Sequence, residues 1–321
     1  IVVDHTEPDH AGSVAKLLEI SPNAKVVGSA PAIKFMKKIA NRDFESITVG
    51  DGDTLSLGNK TLQFISAPFL HWPDSIYTYV PEDEILITCD SFGSHYSSEA
   101  IINSKVENKD HYMEALKYYF DCIMGPFKPF VLKALDKIKD LVIEMIGTSH
   151  GPIHKGEDVK KYLELYREWA TEEPIDSKKV EIFYISAYGN TEAMAKYISE
   201  KLNEKGYKAG VHEITSMKIE DCIALVEKAK GFMVGSPTIN ADAVKPAWDL
   251  LSLVNPIVNR GTAAMAFGSY GWGGNAVPML TDRMKSLGLK VVDPGFRFKF
   301  VPAEKEYKEA DEMIEKFIEN M

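Results

Sequence analysis

Cysteine is scarce. The chain holds Cys89, Cys122 and Cys222 only, widely spaced, odd in number and without a C-x-x-C pair. That excludes paired-thiolate structural zinc, rubredoxin-type iron and thiol redox chemistry, and all three are expected to be reduced core residues. No uninterrupted apolar run approaches the roughly 18 residues of a membrane helix, and no signal-peptide pattern opens the chain, so a cytoplasmic protein is expected. An excess of positive charge is also lacking: 37 Lys and Arg stand against 47 Asp and Glu, with pI near 5.4. Nucleic-acid binding needs clustered basic residues, so a small basic redox partner suits this surface better.

What is present is ample for two domains: 321 residues, 45% apolar and 26% charged. The densest chemistry lies in His5-Thr6-Glu7-Pro8-Asp9-His10, directly after the apolar run Ile1-Val2-Val3. A short β-branched run entering a Pro-containing polar loop reads as a buried strand delivering side chains at its C-terminal end. Two imidazoles and two carboxylates crowded there are best reconciled by cations between them. Taken alone, the same residues also suit a polar loop with a capping Asp and surface His.

Distant residues extend the pattern. His71 lies in Leu70-His71-Trp72-Pro73-Asp74, Asp90 ends the strand-like Ile85–Cys89, and His150 lies in Gly147-Thr148-Ser149-His150-Gly151. Each is a His or Asp at the end of an apolar run, where a layered α/β fold gathers a site. The set H-x-E-x-D-H, then His, Asp and His after gaps of sixty, eighteen and fifty-nine residues, resembles the diiron domain of the flavodiiron proteins. The resemblance implies that His5, Glu7 and His71 bind one iron, that Asp9, His10 and His150 bind the other, and that Asp90 bridges. Zinc hydrolases of the β-lactamase type read H-x-H-x-D-H, and Glu7 in place of the second His favours iron and dioxygen chemistry. Ile1 already lies inside the strand feeding this loop, whereas the resembled family carries several strands earlier, so the first domain is expected to lack its start.

Along the first domain, Val14, Leu17, Leu18 and Ile20 have helical spacing with Ser13 as N-cap. Lys25–Ala30 reads as a strand and Ala32–Ala40 as a helix opened by Pro31. A hairpin is expected around Gly58-Asn59, with strands over Leu62–Ser66, Ile76–Val80 and Ile85–Thr88. Asp110–Met124 and Pro129–Ile146 have helical spacing, the latter presenting Val131, Leu135, Ile138 and Val142. Leu141–Ile146 runs on either as that helix or as a strand into the His150 loop. Asp158–Ala170 is amphipathic. The fold expected over 1–172 is the metallo-β-lactamase-like αββα sandwich. His95 suits a surface role or one behind the ligands, His111, His154 and His212 a structural or exposed one. Tyr119 is a candidate proton donor to the site, with plain helix packing as the alternative.

The polar, Pro-containing stretch after Ala170 reads as a linker over 173–179. Val180–Ile185 is then a strand that turns through Ser186-Ala187-Tyr188-Gly189-Asn190-Thr191 into a helix from Glu192 to about Lys205. Hydroxyls, Asn and backbone N–H groups at a helix N-terminus make an anion site, and the loop resembles the FMN-phosphate loop of flavodoxins. Gly231–Gly235 enters Ser236-Pro237-Thr238-Ile239-Asn240, and Ala263–Phe267 enters Gly268-Ser269-Tyr270-Gly271-Trp272-Gly273-Gly274. By the same resemblance these loops hold the isoalloxazine, with Tyr270 and Trp272 as stacking candidates. A doubly wound parallel sheet over 180–321 binds its ligand at that strand edge.

The resemblance implies an oxidoreductase with FMN and two irons per chain. Electrons would pass from a separate donor, rubredoxin or a reduced deazaflavin, to the reduction of dioxygen to water, nitric oxide to nitrous oxide, or both. A zinc hydrolase fused to a flavodoxin, and a pure electron carrier, are the alternatives. The linker enters the second domain at the edge opposite Ser186, Thr238 and Trp272, and a strand of five or six residues spans roughly 17 to 20 Å. The nine residues of the polar stretch from Thr171 to Lys179 reach at most roughly 30 Å, so at least a head-to-tail homodimer, or a dimer of dimers, is expected.

Overall fold

The computed structural model describes residues 1–171 and 174–321. The chain divides into two compact units, Ile1–Glu172 and Glu173–Met321. The expected linker begins on Glu173, which with Glu172 lies outside the described residues, and the next strand starts at Lys179 rather than Val180.

In the first unit a six-stranded sheet runs in the order Thr54–Ser56, Thr61–Ser66, Ile76–Val80, Ile85–Cys89, Met145–Thr148 and His154–Lys155. The expected hairpin closes with Ser56 opposite Thr61. One face of the sheet packs Phe64 and Ile76 against Val27 and Val49. The other packs Ile65, Tyr77, Tyr79 and Leu86 against the helices Lys109–Tyr119, Lys128–Ile138 and Glu157–Ala170. Each fully buried side chain of this size contributes about 1.5–3 kcal/mol, so these two layers hold the sheet edge that carries the site. Ile76–Val80 and Ile85–Cys89 are antiparallel, and Ile85–Cys89 and Met145–Thr148 are parallel. The start of the first strand and the ends of the other two therefore share one sheet edge. The Ile76 N–H donates to Asp4 O at 2.9 Å, bringing the N-terminal segment there too.

Several local expectations are corrected. Ile1-Val2-Val3 forms only an isolated bridge to Val27, and Pro8–Ala11 is a short helix rather than loop. Ser13 makes no side-chain cap. The helix after Pro129 stops at Ile138, and Met145–Thr148 is strand, because pairing with Ile85–Cys89 outweighs a helical periodicity that would have placed Val142 inside; Val142 is exposed. Asp110–Met124 ends as a π-helical turn over Phe120–Met124, whose outer face exposes Cys122, while Cys89 and Cys222 are buried.

In the second unit five parallel strands run in the order Lys208–Glu213, Lys179–Tyr184, Gly231–Gly235, Ala263–Tyr270 and Lys290–Val291, with apolar clusters on both faces. This is the doubly wound flavodoxin-like order, second strand first. Phe296–Lys299 also pairs with Ala263–Tyr270, and that partner draws Gly268, Ser269 and Tyr270 out of the expected loop into strand. Among the described residues no helix is long and apolar enough to cross a membrane.

Candidate metal centre and flavin cleft

All seven residues of the expected set meet at the sheet edge just described, in two groups. His5, Glu7, His71 and Asp90 offer ligand atoms within 4.8 Å of one another, and so do Asp9, His10 and His150. Asp90 belongs to both sides. Its Oδ2 lies 3.5 Å from His5 Nε2 and 3.4 Å from His71 Nε2, whereas its Oδ1 lies 2.9 Å from His10 Nε2 and 3.3 Å from His150 Nε2. Glu7 Oε2 stands 2.9 Å from His71 Nε2, and Asp9 Oδ2 3.3 Å from His150 Nε2.

Hydrogen bonding accounts for the Glu7–His71 contact but not for the centre of the cluster. His10 Nε2 and both oxygens of Asp90 are enclosed yet have no partner in hydrogen-bond geometry among the described residues. Orphaned polar atoms of this kind are costly inside a protein, and lone pairs converging from several sides are what a cation's ligand shell requires. The Asp90 carboxylate beside it holds His10 up at about 10. Burial pushes Asp90 up, but His10, His71 and His5 outweigh it and hold the carboxyl well below its usual range. Each half supplies two imidazoles and one carboxylate of its own plus a share of Asp90. That donor set suits non-haem iron(II) with open positions, so the residues fit two irons.

Supports surround the ligands. Asp74, fully buried, has Oδ2 at 3.3 Å from His5 Nδ1 and accepts from the Thr6 N–H at 2.7 Å and the Thr6 hydroxyl at 2.8 Å. A carboxylate behind a ligating imidazole fixes its tautomer and raises its basicity. Sequence reasoning missed this role; the carboxylate was visible three residues after His71, but nothing local shows that it faces His5. Trp72 stands edge-on to His5, with ring centroids 5.1 Å apart. Tyr119 is buried, its ring 5.9 Å from that of His150, and burial together with the Asp90 charge holds its hydroxyl well above the usual phenol range. His95 is exposed, 5.2 Å from the His150 ring; His111 is exposed, His154 buried, and His212 paired with Glu181 at 2.6 Å.

In the second unit the three expected loops line one cleft of about 320 Å³. Ala187, Tyr188, Asn190, Pro237, Thr238, Ile239, Asn240, Ser269, Tyr270, Gly271 and Trp272 line it, as do Ala241 and Phe300, which sequence reasoning missed. Ala241 shares a left-handed hairpin tip with Asn240, and Phe300 arrives because its N–H pairs with Tyr270 O. Ser186, Gly189, Thr191, Ser236, Gly273 and Gly274 do not line the cleft. Gly189, at φ 81°, begins the helix Asn190–Glu204, which has no side-chain N-cap bond, and the enclosed Ser186 Oγ has no partner among the described residues. Unused donors at a helix start fit a phosphate. Thr191 Oγ1 instead lies 3.0 Å from Ser269 Oγ, tying two loops together. Trp272 and Tyr188 are almost fully exposed, while Tyr270 has the Arg297 guanidinium 5.9 Å from its ring centroid.

Comparison with known proteins agrees with both halves. Residues 1–151 match the family described as ODP family beta lactamase, and residues 182–312 match flavodoxin. The chain is 38% identical to the flavo-diiron protein FprA2 of Clostridium acetobutylicum over all of this chain and 82% of that one. It is 35% identical to a nitric oxide reductase of Moorella thermoacetica, over 94% of this chain and 76% of the other. The solved rubredoxin oxygen:oxidoreductase of Desulfovibrio gigas superposes with TM-score 0.63 at 27% identity, covering 99% of this chain and 80% of that one. This chain belongs to the flavodiiron proteins, oxidoreductases that join a non-haem diiron site on a β-lactamase-like domain to an FMN-binding flavodoxin domain.

Proposed function

We propose that this chain reduces dioxygen to water, nitric oxide to nitrous oxide, or both, with His5, Glu7 and His71 holding one iron, Asp9, His10 and His150 the other, and Asp90 bridging. The observation carrying this reading is the division of Asp90, one oxygen toward each pair of imidazoles. When bound, the flavin supplies electrons and the iron pair supplies the site at which the small oxidant is reduced.

The chain's own residues do the rest. Asp74 holds the His5 ring so that Nε2 faces the site. Trp72 covers one side of that ring against water. Tyr119 keeps its proton, because burial and Asp90 both oppose ionisation, and so presents an O–H donor beside His150. In the second domain, Ser186 and the N–H groups starting the helix Asn190–Glu204 receive the FMN phosphate, and Trp272 stacks on the ring. A separate donor, rubredoxin or a reduced deazaflavin, delivers electrons, and the working unit is a head-to-tail homodimer or a dimer of such dimers.

Anaerobic reduction of the iron-loaded protein, followed by mixing with each gas in turn, tests the proposal. Rapid flavin reoxidation by at least one gas is expected, with water or nitrous oxide as product. Stoichiometric zinc with hydrolytic activity, or no reaction with either gas, would overturn it.

A further inference from the structure

The carboxylate between the two halves of the site sits on an unusual piece of backbone. Cys89, just before Asp90, has φ 51°, and Phe92, two residues after it, has φ 67°. A bulky side chain in the left-handed region is a genuine outlier that persists only where its surroundings over-determine it. The register against Met145–Thr148 also shifts between Ile87 and Cys89, so the sheet ladder does not by itself set the direction in which Asp90 leaves the strand.

Two side chains far away in sequence take both polar groups of Phe92. The Phe92 N–H donates to the Tyr166 hydroxyl oxygen at 2.7 Å, and His154 Nε2–H donates to Phe92 O at 2.8 Å. Tyr166 and His154 are both fully buried, and the Phe92 and Tyr166 rings lie 4.2 Å apart. Asn103 Nδ2 lies 3.2 Å from His154 Nδ1, which places the imidazole proton on Nε2, where Phe92 needs it. The clamp reaches the other half of the site as well. The Ser94 N–H donates to His150 O at 3.1 Å, and the Ser149 N–H donates to Cys89 O at 2.8 Å. Gly93 allows this approach, since a Cβ there would stand 2.9 Å from Asp90 O and 3.3 Å from His150 O.

We infer that Tyr166 and His154 are positioning residues for the metal pair: by fixing Phe92 in its left-handed turn they hold Asp90 so that one oxygen faces each iron position. Neither residue touches the irons; both act through the backbone of the loop. This rests on the proposed bridging role of Asp90. Tyr166→Phe keeps the ring and removes the acceptor, and His154→Leu removes the donor to Phe92 O, whereas His154→Gln keeps an N–H able to reach it.

The test is an anaerobic titration of the metal-free two-domain chain with ferrous iron against a chelator, with FMN content and melting temperature recorded in parallel. Supports of this kind are worth about 10- to 100-fold in metal affinity. Tyr166→Phe and His154→Leu are expected to lose iron affinity by that factor well below their melting temperatures, with FMN content unchanged and His154→Gln close to wild type. The spectroscopic signature of a coupled iron pair should weaken in the same variants. Iron affinity within about twofold of wild type in Tyr166→Phe and His154→Leu would overturn the inference, as would equal losses in His154→Gln and His154→Leu. If Tyr166→Phe fails to fold, the His154 pair decides. Asp90→Ala separates the two levels: unchanged iron binding there would refute the bridging reading itself, whereas a large loss there with no loss in the clamp variants would refute only the clamp.

Discussion

Replacing Asp74 with Asn tests whether the metal site depends on a residue that binds no metal. The side chain is fully buried, and its Oδ2 takes the Thr6 N–H at 2.7 Å, the Thr6 hydroxyl at 2.8 Å and the His5 ring at 3.3 Å. Asn keeps the shape and one oxygen but loses the charge. Hydrogen bonds to an ionised acceptor are roughly twice as strong as neutral ones, so converting the two short bonds lowers stability by about 2 kcal/mol. The longer contact to His5 contributes less to stability but orients the ring, and weakening such a support lowers metal affinity by about 10- to 100-fold. The loss should fall on the His5, Glu7 and His71 position. At a free ferrous concentration that gives wild type two irons per chain, Asp74→Asn is expected to hold about one. A pH effect accompanies this. Burial pushes the Asp74 carboxyl up, but His5 and Thr6 outweigh it and hold it below its usual range. Its stabilisation is therefore present above the unfolded value of about 3.9 and is lost as pH falls through the lower folded value; the Asn variant should lack that slope. Chelator competition and acid unfolding measure both quantities. Wild-type affinity at both positions, or equal loss at both, would refute the reasoning.

Three further outcomes are expected. Thr191→Val breaks the bond to Ser269 between two cleft loops and should weaken FMN binding about fivefold, at about 1 kcal/mol for one hydrogen bond; unchanged affinity in a fluorescence titration would remove Thr191 from the flavin site. Burial pulls His154 down to about 4, so its neutral form contributes stability fully above the unfolded value of about 6.5 and loses about 3 kcal/mol as pH falls to about 4. Denaturant unfolding of wild type and His154→Gln across that window should show the difference, and parallel curves would count against it. Finally, mixing a chain unable to bind FMN with one unable to bind iron, after dissociation and reassociation, should restore activity if the flavin of one chain serves the irons of another; rapid flavin-to-iron transfer in a verified monomer would rule that arrangement out.

The sequence by itself determined the two fold types and carried the candidate donor set. His5, Glu7, Asp9, His10, His71, Asp90 and His150 were picked out together by their resemblance to the flavodiiron pattern, while His5, His71, Asp90 and His150 each also end an apolar run, a local signal. The flavin loops were legible for the same reason, each ending a strand whose hydrophobicity marks it as buried. The tertiary structure alone decided what depends on pairing between distant segments. Met145–Thr148 is strand rather than helix because Ile85–Cys89 offers it a ladder, and Tyr270 is strand because Phe296–Lys299 lies beside it. Phe300 enters the cleft by that same pairing. Asp74 behind His5, and Tyr166 with His154 behind Phe92, are joined across separations of 69, 74 and 62 residues. A hydrogen bond of that span leaves no periodicity in the chain, since its partners are matched only after the sheet has formed. The division of Asp90 between two pairs of imidazoles is of the same kind: composition supplies the carboxylate, and the strained turn after Cys89 decides where each oxygen points.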